Sequence, residues 1–288
     1  MVENILENLC PTDKVYKELL EYTKNGFYFE QKIPDVIPDE SFIEIWSRIA
    51  ERSKKENVQD VINDEIPHGE TDVSLKRPDL VNIEIYNSVA GNIPVIYARE
   101  PEDFYELVTQ IINHGKKMPN IEKTGASFAF GKSNKFIVLS NKPYSNIPAK
   151  EINLDEDTWK DYSIIIRREH ECTHYFTKRF LGSSKQNLHD ELVADFAGIF
   201  CATGKFYADW FLKGLGLDKY PKEQPMGRFS VYTTELSDEA KEVLKGIIVK
   251  VAYNVESWSK TNEAQNMSRN EKILFLCKNS LVDLYNMN

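Results

Sequence analysis

The sequence predicts an α+β fold: a helical start, a mixed α/β middle with a small β-sheet, and a mainly helical C-terminal half. Three observations lead there. Apolar residues recur at helical spacing through the first 70 or so positions. Stretches 81–86, 93–97, 127–130 and 135–140 are short β-type runs, the first with clear alternation of apolar and polar residues. From Thr158 onward the helical spacing returns.

Taken in order, the prolines Pro34 and Pro38 mark a loop before a helix carrying Phe42, Ile43, Ile45, Trp46 and Ile49, with Asp39 or Ser41 as its cap. The polar stretch 63–78, with Pro67, Gly69 and Pro78, reads as a linker or exposed loop. Two strands follow. Phe104, Leu107, Val108 and Ile111 then place one face of a helix over 102–112. The runs 127–130 and 135–140 flank Gly131-Lys132-Ser133-Asn134 and read as a hairpin. Helices are expected at 238–253 and 269–285. Composition shifts suggest an N-terminal helical region (1–79), an α/β core (80–220) and a C-terminal helical region (221–288), packed as one unit.

The chain has 288 residues, 41% of them hydrophobic and 28% charged, the mix of an ordinary folded protein. A formal net charge of −9 argues against nucleic acid as a partner, because phosphates need a basic surface. Lys116-Lys117 and Arg167-Arg168 are short basic pairs, expected at the solvated or ion-paired surface. No apolar run is long enough for a membrane span. The N-terminus lacks a basic segment followed by an apolar one, so no secretory signal is expected. The cysteines Cys10, Cys172, Cys201 and Cys277 show no CxxC spacing. These features together point to reduced thiols and a cytoplasmic location.

The chemistry sits in His170-Glu171-Cys172-Thr173-His174. A four-residue step on a helix puts both imidazoles on one face, one turn apart, where they can ligate the same ion. Glu171 lies one step round and can reach a metal-held water without being a ligand. With five histidines in the chain, an HExxH match arises by chance about 0.01 times. Gly182 is a natural stop for this helix. Cys172 falls on the far side from His170 and should enter the core.

A second helix opens at His189-Asp190-Glu191-Leu192-Val193-Ala194-Asp195. Glu191 and Asp195 share one face with the small Ala194 and Gly198, so a neighbouring helix can approach closely. A carboxylate face against a two-histidine face makes a metal site. His189 is left with three readings: a cap, a substrate-orienting group, or a fourth ligand that would close the site.

The pair of motifs, over about residues 160–200, resembles the HExxH…ExxxD arrangement of gluzincin zinc metallopeptidases. The stretch through Phe211-Leu212 is also similar to an uncharacterised prokaryotic family of HExxH proteins. The gluzincin resemblance implies a zincin-like fold, with the 127–140 hairpin as a sheet edge that binds an extended peptide. It implies Zn2+ held by His170, His174 and Glu191, with Glu171 as general base and Asp195 as the carboxylate orienting a ligand histidine. The gap from His174 to Glu191 is short for that group. Three protein ligands leave an open position for a water whose pKa zinc lowers toward about 7. A further electrophile is needed for the developing oxyanion. Tyr175, Tyr207, Arg228 and Tyr232 are the candidates, and Arg228 and Tyr232 are preferred for their polar-aromatic loop. The expected function is hydrolysis of a peptide or other amide bond. The competing readings are a non-catalytic metal-binding regulatory or interaction protein, with His189 a candidate fourth ligand of a closed site, and a metal-free structural protein in which the histidines are merely packed.

Overall fold

Residues 2–30, 32–131, 134–182, 187–219 and 227–287 are described in the computed structural model. Helices α1 (Val2–Leu9) and α2 (Asp13–Tyr22) open the chain, followed by α3 (Phe42–Ser53) and α4 (Val58–Glu65). Strands β1 (Val81–Ser88) and β2 (Gly91–Ala98) precede α5 (Pro101–Leu107), which runs into a π turn at Val108–Ile112. Strands β3 (Ala126–Phe130) and β4 (Lys135–Ser140) come next, then the long α6 (Glu156–Phe180) and α7 (Leu188–Thr203). The remainder is helical: α8 (Ala208–Leu215), α9 (Phe229–Tyr232), α10 (Asp238–Ser259), α11 (Asn262–Asn266), α12 (Arg269–Lys278) and α13 (Leu281–Tyr285). Among the described residues, no helix is long and apolar enough to cross a membrane.

The α+β class expected from the sequence is observed. The chain forms two compact units, one of Ile33–Cys172 and one of Met1–Lys32 with Thr173–Asn288. The reason is what the early helices bury against. Helix α2 packs on α10 and α1 on α13, whereas α3 packs on α4, β1 and β2. The N-terminal helices therefore never form a region of their own. The dividing line falls inside the unbroken helix α6.

In the Ile33–Cys172 unit the sheet has the order β1-β2-β4-β3. Its outer pairs are antiparallel and β2 runs parallel to β4. The hairpin of β3 and β4 sets Phe128 opposite Ile137; Lys132 and Ser133 of its turn lie outside the described residues. Every residue of β4 is buried, as a central strand covered on both faces requires. Phe42, Trp46, Ile49, Val61 and Ile62 of α3 and α4 form one core with Ile83, Ile96, Phe136 and Val138 of the sheet and Phe104 and Leu107 of α5. Ile45, expected on the apolar face of α3, is 51% exposed. On α3 the Ser41 side chain makes no capping bond, and Asp39 instead accepts from Asn92.

The same unit ties α6 to the strands through charged groups. Tyr86 donates to the fully buried Glu169, and Arg168 stacks on the Tyr86 ring with its guanidinium 3.9 Å from the centroid. Arg167 departs from the surface role expected of it. It is buried, and its guanidinium donates to the carbonyls of Ser140, Lys142 and Pro143. Gly125 makes room: a Cβ there would lie 2.4 Å from Arg167 Nε. The expected single helix over 269–285 is two, because Ser280 and Asp283 form a capping box that starts α13. Cys172 is fully buried, as its position on the helix requires.

Replacing Arg167 by Met leaves three carbonyls without their donor, that of Ser140 buried and those of Lys142 and Pro143 partly so. The variant should lose about 2–4 kcal/mol of stability, read from urea unfolding.

Candidate metal centre

Helix α7 is buried from Leu188 through Ile199, its carboxylates included. Asp190 and Glu191 are each 4% exposed and Asp195 is 0% exposed. A carboxylate removed from water is costly unless charge and hydrogen bonds compensate it. The site is built from that compensation.

His170 and His174 stand one turn apart on α6, and Glu191 comes from the first turn of α7. Each of the three offers one ligand atom, and these atoms lie within 4.8 Å of one another. Nε2 of His174 is 3.4 Å from Oε1 of Glu191. Two ligands about 2.0–2.1 Å from one tetrahedral zinc stand about 3.3 Å apart, so this spacing fits such an ion. Two imidazoles and a carboxylate are also the donor chemistry that zinc takes.

The far sides of both imidazoles are engaged. Nδ1 of His170 meets the Tyr144 hydroxyl at 3.2 Å. Nδ1 of His174 meets Oδ2 of Asp190 at 3.4 Å, and Asp190 also accepts from Thr177. Contacts of this kind fix ring orientation and leave Nε2 for an ion. Burial opposes a charge on His174, but hydrogen bonds and charge from Asp190 and Glu191 outweigh it, and its pKa lies well above the usual histidine value. Glu171, beside the two histidines, is half-buried, and no hydrogen bond or ion pair holds its carboxylate among the described residues.

Arg228 reaches the carboxylates from the N-terminal side of α9. Its Nη1 is 3.1 Å from Oε2 of Glu191 and its Nη2 is 2.5 Å from Oδ2 of Asp195. Gly227 makes this approach possible, because a Cβ there would lie 1.8 Å from the Leu215 carbonyl oxygen. The Tyr232 hydroxyl bonds to Glu191. Burial, then the Glu191 charge, hold that phenol well above the usual tyrosine range. Tyr22, on α2, donates to the Tyr232 carbonyl at 3.0 Å and accepts from the Leu188 N–H at 3.2 Å. Burial pushes the Tyr22 phenol up to about 12.

The structure thus brings His170, His174, Glu191, Asp195, Arg228 and Tyr232 together. It brings in Tyr144, Asp190 and Tyr22 as well, which the sequence did not single out for these roles. Asp190 had a usable signal, since it sits beside Glu191 in the first turn of α7. Tyr144 and Tyr22 had none, because only the fold brings them near. Tyr175 is fully buried with its hydroxyl accepting from Arg179, and Tyr207 stacks on Trp210. His189 is neither cap nor ligand. Asn187 caps α7 by accepting from the N–H groups of His189 and Asp190, while His189 Nε2 donates to the Leu276 carbonyl at 2.9 Å. Its ring lies edge-on to Phe27. Burial lowers the His189 pKa.

Tyr144→Phe removes the hydroxyl at the His170 ring, and Asp190→Asn removes the charge beside His174. If the cluster takes up supplied zinc, each should weaken that binding about 10- to 100-fold in competition with a chromophoric chelator, with the far-UV spectrum unchanged. A depressed folded-state pKa means that neutral His189 contributes stability above its unfolded pKa, near 6.5. That contribution is lost as pH falls through the lower folded value. His189→Gln keeps a donor for Leu276 and should flatten part of the acid limb of stability, followed by urea unfolding between pH 7 and pH 4.

A sequence profile described as a family of unknown function, DUF7005, matches residues 61–135 and 133–288. No curated protein and no solved structure matches the chain. The matched stretches take in α6, α7 and most of the sequence, and the chain belongs to this family, DUF7005.

Proposed function

We propose that the protein is a zinc-dependent hydrolase acting on a peptide or another amide bond. The observation that carries this reading is the pairing of a three-ligand set with a carboxylate beside it that no other group holds. A bound zinc would supply Lewis acidity and lower the pKa of a water in the open position. His170, His174 and Glu191 would hold the ion. Glu171 would take the proton of the attacking water and return it to the leaving amine.

The other residues act through the ligands. Tyr144 and Asp190 orient the two imidazoles. Both terminal nitrogens of Arg228 face carboxylates, so Arg228 serves as a positioning residue for Glu191 rather than as a free oxyanion donor. Tyr232 supports the same carboxylate. Strand β3 is an edge of the sheet, and none of its residues is buried. An extended substrate would add to that edge through main-chain hydrogen bonds, as the gluzincin resemblance implies. The closed-site alternative loses its candidate fourth ligand, since His189 Nε2 is engaged by Leu276.

Protein purified without added metal should carry about one zinc per chain, as a single three-ligand site requires. Glu191→Ala should lose it. Glu171→Gln should keep the zinc and lower turnover of a quenched peptide library by about 10²-fold or more. Zinc-free wild type that takes up none when supplied would sink this reading; unchanged turnover in Glu171→Gln would remove the base.

A further inference from the structure

Glu171 does not place itself. No hydrogen bond or ion pair holds its carboxylate among the described residues, so the backbone of α6 sets where that carboxylate stands. His170 differs, because its ring meets the Tyr144 hydroxyl. Arg168 and Glu169 supply contacts that fix α6 just before the base.

Both reach one face of the sheet. Glu84, Tyr86 and Tyr97 share that face, because Tyr97 stands opposite Asn82 and side chains alternate along a strand. Ile83 and Ile96, on the other face, enter the core with α3. Glu169 is fully buried; it accepts from the Tyr86 hydroxyl and lies 3.2 Å from Nε of Arg168. Arg168 lies over the Tyr86 ring, and its Nη1 donates to the Tyr97 hydroxyl at 3.3 Å. Tyr97 in turn donates to Glu84 at 2.7 Å.

Adhesion alone does not account for this choice of groups. Packed apolar side chains often hold two elements together as well as a buried ion pair does, or better. They do so without direction. A hydrogen bond demands a length and an angle, and a buried carboxylate that loses its donor is costly. Polar contacts therefore fix the height and rotation of α6, which apolar contacts would leave free to adjust. A misplacement of about 1 Å can lower a catalysed rate about 10²-fold. We infer that Tyr86, Arg168 and Glu169 are positioning residues for Glu171, holding that base within reach of the attacking water.

The inference rests on the hydrolase reading, and the two fail differently. Turnover by the zinc-loaded full chain is measured on the member of the quenched peptide library that it cleaves fastest. Tyr86→Phe removes the hydroxyl and keeps the ring under Arg168. It should lower kcat about tenfold or more, with KM and zinc content within about twofold of wild type and the circular dichroism unchanged. Glu169→Leu should match it, and Glu169→Gln, which keeps an oxygen for Tyr86, should recover most of the loss. If Glu169→Leu does not fold, the tyrosine variant decides. In a Glu171→Gln background Tyr86→Phe should cost less than about twofold, because a residue that acts through the base has nothing left to place. A kcat unmoved by Tyr86→Phe, a loss confined to KM or zinc content, or an undiminished loss in the Glu171→Gln background overturns the inference and leaves the hydrolase standing. Failure to take up zinc, or no turnover by zinc-loaded wild type, overturns both.

Discussion

The burial of three carboxylates on one helix sets the terms for everything around them. Asp190, Glu191 and Asp195 occupy α7 where each of its residues from Leu188 to Ile199 is buried. Left bare, each would cost several kcal/mol. The structure answers with groups from α6 and from the N-terminal side of α9: His174 and Thr177 for Asp190, His174 and Arg228 for Glu191, Arg228 for Asp195. One guanidinium serves two of the three acids. That sharing demands close approach, and close approach explains a glycine at 227, where any side chain would collide with the Leu215 carbonyl.

The two imidazoles divide their nitrogens by the same logic. At each histidine Nδ1 faces a protein group, a phenol for His170 and a carboxylate for His174. Burial opposes a charge on His174, while hydrogen bonds and charge from Asp190 and Glu191 favour it and outweigh burial.

The parts of this arrangement that were legible in the sequence are those that repeat along one element. The four-residue steps from His170 to His174 and from Glu191 to Asp195 put each pair on one helical face, and the helices α6 and α7 are where the periodicity placed them. The alternation in β1 and the hairpin of β3 and β4 were legible for the same reason. What escaped depends on contacts far apart in sequence. Tyr144 reaches His170 from a short turn whose Ser145 and Asn146 have positive φ, a conformation Asn often adopts but Ser does not announce. Arg167 looked like surface charge because a run of basic letters carries no sign of the three carbonyls waiting for it. His189 kept three readings, as cap, substrate-orienting group or fourth ligand, because it adjoins the acids, yet on a helix one residue's step turns it about 100° away, and its Nε2 meets Leu276.

The start of α7 shows why the acids sit where they do. The first N–H groups of a helix have no partner within it and carry partial positive charge, which favours carboxylates in the first turn. Asp190 and Glu191 are in that turn. Asn187 accepts from two of the free N–H groups and Tyr22, brought from the beginning of the chain, accepts from a third. Three N–H groups of the helix start thereby find protein acceptors, which favours burying it together with its acids. Asp195 lies beyond the first turn, outside the reach of that end charge, and there Arg228 supplies the compensating cation. The same guanidinium reaches back to Glu191, so the anchoring of the deeper acid and the orientation of the candidate ligand are one interaction.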